Sequence, residues 1–395
     1  LTSVHLPGAD GAQPTDAPDD LFAAPSYADW GRAAVRIRES GADVAMLWDS
    51  TIAEPTEALV DVVRAAFSPA VTSRYVSVFA DGNRFAVEAL ARRYGLSADR
   101  IMTTTGATSA LGLALKALAA PGDRVLVEQP GFDVLAQQAR AAGLVVGEVG
   151  RPAPDHRIDL EDLAARLTNR TRAVVITNLH NPTGARLEPG EIAAIAAVAA
   201  RVDAVLVVDE VYADFAADTG APPAGTLGPN ILTVSSLTKV FGLFSLKFGW
   251  LAGDAALVAR VRASAPDGDI GVSKLSHAVA ALVLENPAPF EAHWQGTLAA
   301  TRPVMHRHVD ALVADGLLAG ELPPYGCMYF PSVTGVDDTR ALARRLMCEF
   351  GVLVAPGEYF AAPGHIRIGF GADPELLDDG LTRLRAGLTS LRQTP

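Results

Sequence analysis

Ala204-Val205-Leu206-Val207-Val208-Asp209-Glu210-Val211-Tyr212 runs apolar without a break and then stops abruptly on two carboxylates and a phenol. An apolar run of this length, with no polar alternation, reads as a strand buried on both faces, and so as part of a parallel sheet covered by helices. The pattern recurs outward at Arg124–Glu128, Leu144–Val146, Ala173–Thr177 and Ile231–Ser235. Helical patterns over Thr108–Leu118, Phe132–Ala142, Leu160–Leu167 and Glu188–Arg201 separate most of these runs. Strands alternating with helices predict an α/β fold built on a mostly parallel sheet between helices.

Beyond that middle region the signals change. Residues 1–25 are rich in Pro, Asp, Gly and Ala and are expected to form a loosely ordered N-terminal arm. A short extended piece at Val44–Trp48 and a helix over Asn83–Tyr94, closed by Gly95, come next. Further helical patterns cover Trp294–Leu318, Asp338–Phe350 and Pro374–Leu391. The expected division is a large domain over 71–290 and a smaller α+β domain from 26–70 together with 291–395.

Composition narrows the function. A chain of 395 residues has room for two unequal domains. A net charge of −12 argues against a general nucleic-acid surface, which needs clustered Lys and Arg. Two cysteines are too few for a disulfide framework, and the apolar neighbours of Cys327 and Cys348 predict small buried core residues. No apolar run is long enough for a membrane span and no secretion signal is evident, so a cytoplasmic enzyme is expected. His306 and His308 stand two apart on a helical pattern and point to different faces, so no metal site is expected there.

In an open parallel sheet, ligands sit beyond the carboxyl ends of the strands. Three neighbouring runs place their least ordinary residues there: Asn178-Leu179-His180-Asn181-Pro182-Thr183-Gly184, then Asp209 to Tyr212, then Ser236-Leu237-Thr238-Lys239. An amide, a carboxylate with a phenol, and an amine with two hydroxyls together match the needs of pyridoxal 5′-phosphate (PLP). The aldehyde needs a lysine amine for a Schiff base, which Lys239 supplies. The ring nitrogen needs a buried carboxylate to keep its proton, which suits Asp209. The ring oxygen needs donors, which suits Asn181 and Tyr212. For the phosphate, Gly106, Ala107 and Thr108 form a small-residue turn opening a helix, with free N–H groups and the positive end of the dipole. Ser236, Thr238 and Lys247 are candidates to complete that shell, and Phe132 to stack on the ring. His180 is expected to shape its loop or the substrate side and not to transfer protons.

These motifs, in this order and at about this spacing, resemble the class I/II aminotransferases of PLP fold type I, from roughly Asp43 to the C-terminus. The resemblance implies a large domain with a seven-stranded sheet, a smaller α+β domain, and a homodimer with active sites at the interface. It implies that Tyr75 reaches the phosphate of the neighbouring subunit and that Arg367 grips the substrate α-carboxylate. A strand over Ile366–Ile368 would turn Arg367 away from the two isoleucines and into a cavity. Two departures stand out. Lys247 replaces the family's usual arginine, which exchanges a planar fork for a point charge. Ala53 replaces a glycine beside the substrate carboxylate, and its methyl would narrow the pocket.

The expected reaction is transfer of an amino group between an amino acid and a 2-oxo acid, with Lys239, Asp209 and Tyr212 catalytic and Arg367, Asn181 and Ala53 facing substrate. The alternative is another PLP-dependent reaction at Cα or beyond on the same scaffold: a decarboxylase, a lyase or replacement enzyme, or an amino-acid oxidase. A transcription regulator is disfavoured because the acidic N-terminal arm is too short to be a DNA-binding domain. The segment Pro266–Lys274 lacks the arginine expected of dicarboxylate-specific members, which favours a neutral or basic substrate side chain, and Asp267 and Asp269 could meet a cationic one.

Overall fold

The computed structural model describes residues 21–68, 82–219, 222–265 and 273–393. Its main sheet has seven strands: β1 (Ile101–Thr104), β2 (Arg124–Gln129), β3 (Val145–Gly150), β4 (Thr171–Thr177), β5 (Val205–Asp209), β6 (Ile231–Ser236) and β7 (Gly249–Gly253). Their order across the sheet is β1-β7-β6-β5-β4-β2-β3. Only β7 runs against its neighbours. The unbroken apolar reading of the strands is explained by cover on both faces. Val205 and Val207 pack with Leu111 and Leu115 of the helix Ala107–Leu118, while Leu206 and Val208 pack with Ile192 and Ala196 of the helix Pro189–Ala200. Each fully buried Val or Leu contributes roughly 1.5–3 kcal/mol.

Register sets up the site. Thr177 pairs with Asp209, and Asp209 with Val234, so β4, β5 and β6 finish nearly level. The residues just past these three strands therefore emerge side by side.

Where the strands differ from their sequence signals, packing explains it. β3 continues through Gly147 and Glu148 because it is an edge strand with much of its surface exposed. β7 carries glycines at both ends, which weaken a strand. Gly249 is needed for contact: a Cβ there would lie 2.4 Å from the carbonyl carbon of Gly106. β7 thus slides directly beneath the turn that opens the helix Ala107–Leu118.

The long helix Ala288–Ala314 begins a turn and a half before its apolar pattern suggests, with a proline in its first turn. Short strands assemble distant segments. Ala45–Met46 pairs with Val352–Leu353, and Ile366–Gly369 pairs with both Met328–Tyr329 and Ala355–Pro356. Leu21, Trp30 and Leu47 share one apolar cluster with Phe360 and Leu381. Leu21, Phe22 and Ala24 are buried, so the arm expected to run loosely to residue 25 is already packed by residue 21. Burial of Cys348 is also corrected. It is exposed, because the helix Thr339–Phe350 turns Ala343, Leu346 and Met347 inward and the next position outward.

Candidate active site

Lys239 lies three residues beyond β6, and its Nζ donates to Thr51 Oγ1 at 3.0 Å. Its carbonyl accepts from the N–H of Ile52 at 3.1 Å. One residue before Thr51, Ser50 Oγ and Tyr212 Oη are 2.7 Å apart. The stretch from Asp49 to Ala53 is therefore stitched across the ends of β5 and β6. It lies there because Gly369 and Gly371 allow backbone-to-backbone contact: added Cβ atoms would fall 1.9 Å from Asp49 O and 2.3 Å from Thr51 O.

Asp209 is the last residue of β5, and one carboxylate oxygen accepts the N–H of Val211 at 3.1 Å. Although part of Asp209 faces the open site, desolvation pushes its carboxyl up to about 7, with Glu128 adding to the rise and Lys239 opposing it. The neighbouring Glu210 points to the other face of the strand, where Thr233 Oγ1 and the Ala224 N–H hold it at 2.8 and 3.0 Å. Tyr212 is almost fully enclosed, and burial raises its phenol well above the ordinary value.

The helix Ala107–Leu118 starts after Gly106 with no side-chain cap on its first turn, so its leading N–H groups are open to an anion. Ser236 is buried beside this region, and its hydroxyl accepts the Thr238 N–H at 3.3 Å. Lys247 adopts a left-handed backbone with φ of 50°. Its carbonyl borders Gly106, while its exposed ammonium rests 5.1 Å above the centre of the Phe244 ring.

Arg367, in the strand Ile366–Gly369, is enclosed; both Nη atoms are hydrogen-bonded while its buried Nε has no partner among the described residues. Nη1 donates to Asn181 Oδ1 at 2.8 Å, and Nη2 to the carbonyl of Trp48 at 3.0 Å and to the hydroxyl of Tyr27. The guanidinium also lies over the rings of Tyr27 and Phe360, at 5.0 and 4.8 Å. Phe132 meets Tyr27 edge-on at 5.2 Å. Ala53 is exposed, with its N–H on Gly371 O at 2.8 Å and its carbonyl 2.9 Å from His293 Nε2. His180 is enclosed between Thr183 Oγ1 and Pro130 O, and burial holds its imidazole well below the usual value. These contacts tie His180 to its own loop and to the turn at Pro130.

Lys239, Asp209, Tyr212, Asn181 and Arg367 thus lie close together, with Lys239 acting on the Asp209 carboxyl and Arg367 on the Tyr212 phenol. Tyr75, Asp267 and Asp269 lie outside the described residues. Sequence reading missed Ser50, Thr51, Trp48 and Tyr27. Ser50 and Thr51 lie within three residues of Ala53, but no local pattern sets them, Trp48 or Tyr27 apart. Among the described residues no His, Cys, Asp and Glu cluster could hold a metal ion, and no helix is long and apolar enough to cross a membrane.

The donor set fits PLP. An uncapped helix N-terminus suits its phosphate, a desolvated carboxylate its ring nitrogen, and an amine held inside the site its aldehyde.

Comparison with known proteins agrees with that chemistry. The family described as "Aminotransferase class I and II" matches residues 54–384. Capreomycidine synthase of Streptomyces vinaceus is 33% identical over 288 residues, covering 72% of this chain and 73% of that protein. A double mutant of Thermus thermophilus aspartate aminotransferase superposes with a TM-score of 0.78 at 26% identity, covering 92% of this chain and 97% of that one. The PLP-dependent cyclase OrfR gives a TM-score of 0.76 at 27% identity, covering 93% and 97%.

Proposed function

Because this chain belongs to the class I and II aminotransferases, a family of PLP-dependent enzymes, we propose that it binds PLP through Lys239 and transfers an amino group between an amino acid and a 2-oxo acid. The observation that carries the proposal is the convergence of Lys239 and Asp209 at the ends of adjacent, level strands, with the amine held at Thr51 inside the site.

When bound, PLP supplies an electron-accepting ring that takes up the electron pair left when the substrate Cα loses its proton. The protein's residues divide the remaining work. Lys239 would be the base: once the substrate amine takes its place on the cofactor, its freed amine, positioned by Thr51, would take the Cα proton and give it back on the cofactor side of the substrate nitrogen. Asp209 holds a proton on the ring nitrogen. A cation at that point favours the carboxylate form of a side chain otherwise poised near 7. Tyr212, held by Ser50, and Asn181 donate to the ring oxygen. The first turn after Gly106, with Ala107, Thr108, Ser236 and Thr238, receives the phosphate, and Lys247 adds a nearby positive charge. Arg367 receives the α-carboxylate bidentately, with Ala53 lining the approach and Phe132 walling the ring.

Replacing Lys239 by Ala tests this directly. Visible cofactor absorbance and turnover should both vanish; a variant that kept both would exclude Lys239 from either role.

A second reading is favoured by a specific observation. Capreomycidine synthase and a PLP-dependent cyclase stand among the similar proteins, and Lys247 and Ala53 depart from the family pattern. Under that reading the same site makes or breaks a bond other than Cα–N. Amino groups recovered on the acceptor oxo acid one-for-one with oxo acid formed from the donor support transamination; a cyclised product, or oxo acid released with free ammonia, supports the second reading.

The protein is further proposed to act as a homodimer. Val60, Phe67, Phe244 and Leu275 are exposed, and the helix Thr56–Ala66 and the turn at Phe244–Leu246 pack on the same helix, Lys274–Glu285. Both cysteines are free thiols, which suits a reducing cytoplasm.

A further inference from the structure

Behind Asn181 lies a buried ion pair that makes no hydrogen bond to Lys239, Asp209 or Tyr212. Glu128, near the end of β2, and Arg151, the first residue past β3, have fully enclosed side chains with Arg151 Nη1 2.7 Å from Glu128 Oε2. Burying two charges costs several kcal/mol per ion, and an apolar pair of similar volume commonly serves stability as well. A different benefit is visible in the contacts.

The second oxygen of Glu128 accepts both donors of one residue, the N–H of Thr177 at 2.8 Å and its hydroxyl at 2.5 Å. Arg151 Nη1 also holds the carbonyl of Thr177, at 2.9 Å. An ionised carboxylate only accepts, so it dictates where the Thr177 proton points. The hydroxyl oxygen is then left as an acceptor, and the N–H of Asn181 donates to it at 2.9 Å. Asn181 Oδ1 in turn accepts from Arg367 at 2.8 Å. The Thr177 hydroxyl thus ties the Asn181 backbone to the buried pair, while the Asn181 side chain is the acceptor for Arg367.

We propose that the Arg151–Glu128 pair, acting through the Thr177 hydroxyl, is a positioning element that fixes Asn181 and so orients Arg367 toward the substrate carboxylate. The inference rests on the reading that Arg367 receives that carboxylate. Thr177, Glu128 and Arg151 touch neither substrate nor reacting atoms in this scheme; they act by alignment. Losing the Thr177 hydroxyl strands the Asn181 N–H and loosens the fork, which weakens carboxylate binding and leaves the proton-transfer groups in place.

The test uses the PLP-loaded enzyme and steady-state kinetics with both amino donor and oxo-acid acceptor. Thr177→Val should raise both KM values about tenfold with kcat within about threefold, the size expected for one buried hydrogen bond. Visible cofactor absorbance should be retained, since Lys239 is untouched, and Thr177→Ser should restore the original KM. In an Arg367→Ala background, Thr177→Val should add no further rise. Arg367→Ala alone is the control for the underlying reading: if it leaves KM unchanged, the carboxylate assignment fails whatever Thr177 does. If Arg367→Ala raises KM while Thr177→Val does not, or if the two effects multiply, the positioning role is overturned. A Thr177→Val effect confined to melting temperature overturns it as well. If the valine variant does not fold, Thr177→Cys takes its place, since a thiol fills similar volume but accepts poorly; the same KM rise supports the proposal and an unchanged KM overturns it.

Discussion

Asp209 and Lys239 stand at the ends of strands that are adjacent in the chain and in the sheet, whereas Arg367 reaches Tyr27, Trp48 and Asn181 across 340, 319 and 186 residues. The first side of the site is a product of sheet register. Once β4, β5 and β6 pair level, the residues just past them are neighbours with little left to adjust. The second side is a product of assembly. It needs the N-terminal helix Tyr27–Glu39, the segment at Trp48, the loop at Asn181 and a C-terminal strand to arrive together. The register-built side has slack in its hydrogen bonding, as Asp209 has a backbone N–H and Lys239 a threonine hydroxyl. The assembled side is dense, because a buried guanidinium without acceptors carries a heavy desolvation penalty.

That contrast predicts different responses to substitution. Among substitutions that leave Lys239 in place, the largest effect is expected on the assembled side. Arg367→Lys keeps the charge but loses the fork that meets Asn181 on one nitrogen and Trp48 on the other, and should raise KM for carboxylate substrates about 100-fold, the order of 3 kcal/mol for a buried charged pair. A KM close to the original would show that a point charge suffices and would break the comparison.

On the register-built side the clearest signature is in stability against pH. The Asp209 carboxyl is raised to about 7 in the folded, cofactor-free protein, while an unfolded aspartate titrates near 4, at about 3.9. The folded state therefore binds the extra proton between those values, and stability falls as pH rises through that window and levels off above it. Asp209→Asn should flatten this fall by up to about a few kcal/mol between pH 4 and pH 8, measured by urea unfolding of the cofactor-free protein. Glu210, also raised to about 7, should leave a residual slope in the variant. An unaltered slope would show that Asp209 titrates as it does in the unfolded chain.

The smallest effect sharpens the role of the N-terminal helix. Tyr27→Phe removes one hydroxyl from Arg367, leaves its bond to the Trp48 carbonyl, and should raise KM by about threefold. A fall in KM would instead mean that Tyr27 competes with the substrate carboxylate for the guanidinium.

Legibility in the sequence divides along the same line. The apolar runs at β4, β5 and β6 could be read because strands buried on both faces need no polar alternation, and the polar residues just past them stand out for that reason. β7 was not legible. Its glycines look like loop residues until the helix turn at Gly106 is packed on it. The edge strand β3 was read short because partial exposure admits Gly147 and Glu148. Ser50 and Thr51 have no local pattern that distinguishes them from any polar pair before Ile52. Their contacts with Tyr212 and Lys239 exist only because Gly369 and Gly371 let two backbones touch.

The sequence alone determined the alternation of strand and helix, the carboxylate, phenol and amine at successive strand ends, and with them the cofactor. These depend on periodicity and on chain-local order, which a linear reading preserves. Tertiary structure alone decided that Tyr27 and Trp48 complete the Arg367 pocket, that Thr51 holds Lys239, and that a buried Glu128–Arg151 pair stands behind Asn181. Contacts of that kind depend on which surfaces pack together, and the partners of a buried polar group are set by whatever backbone and side chains close around it.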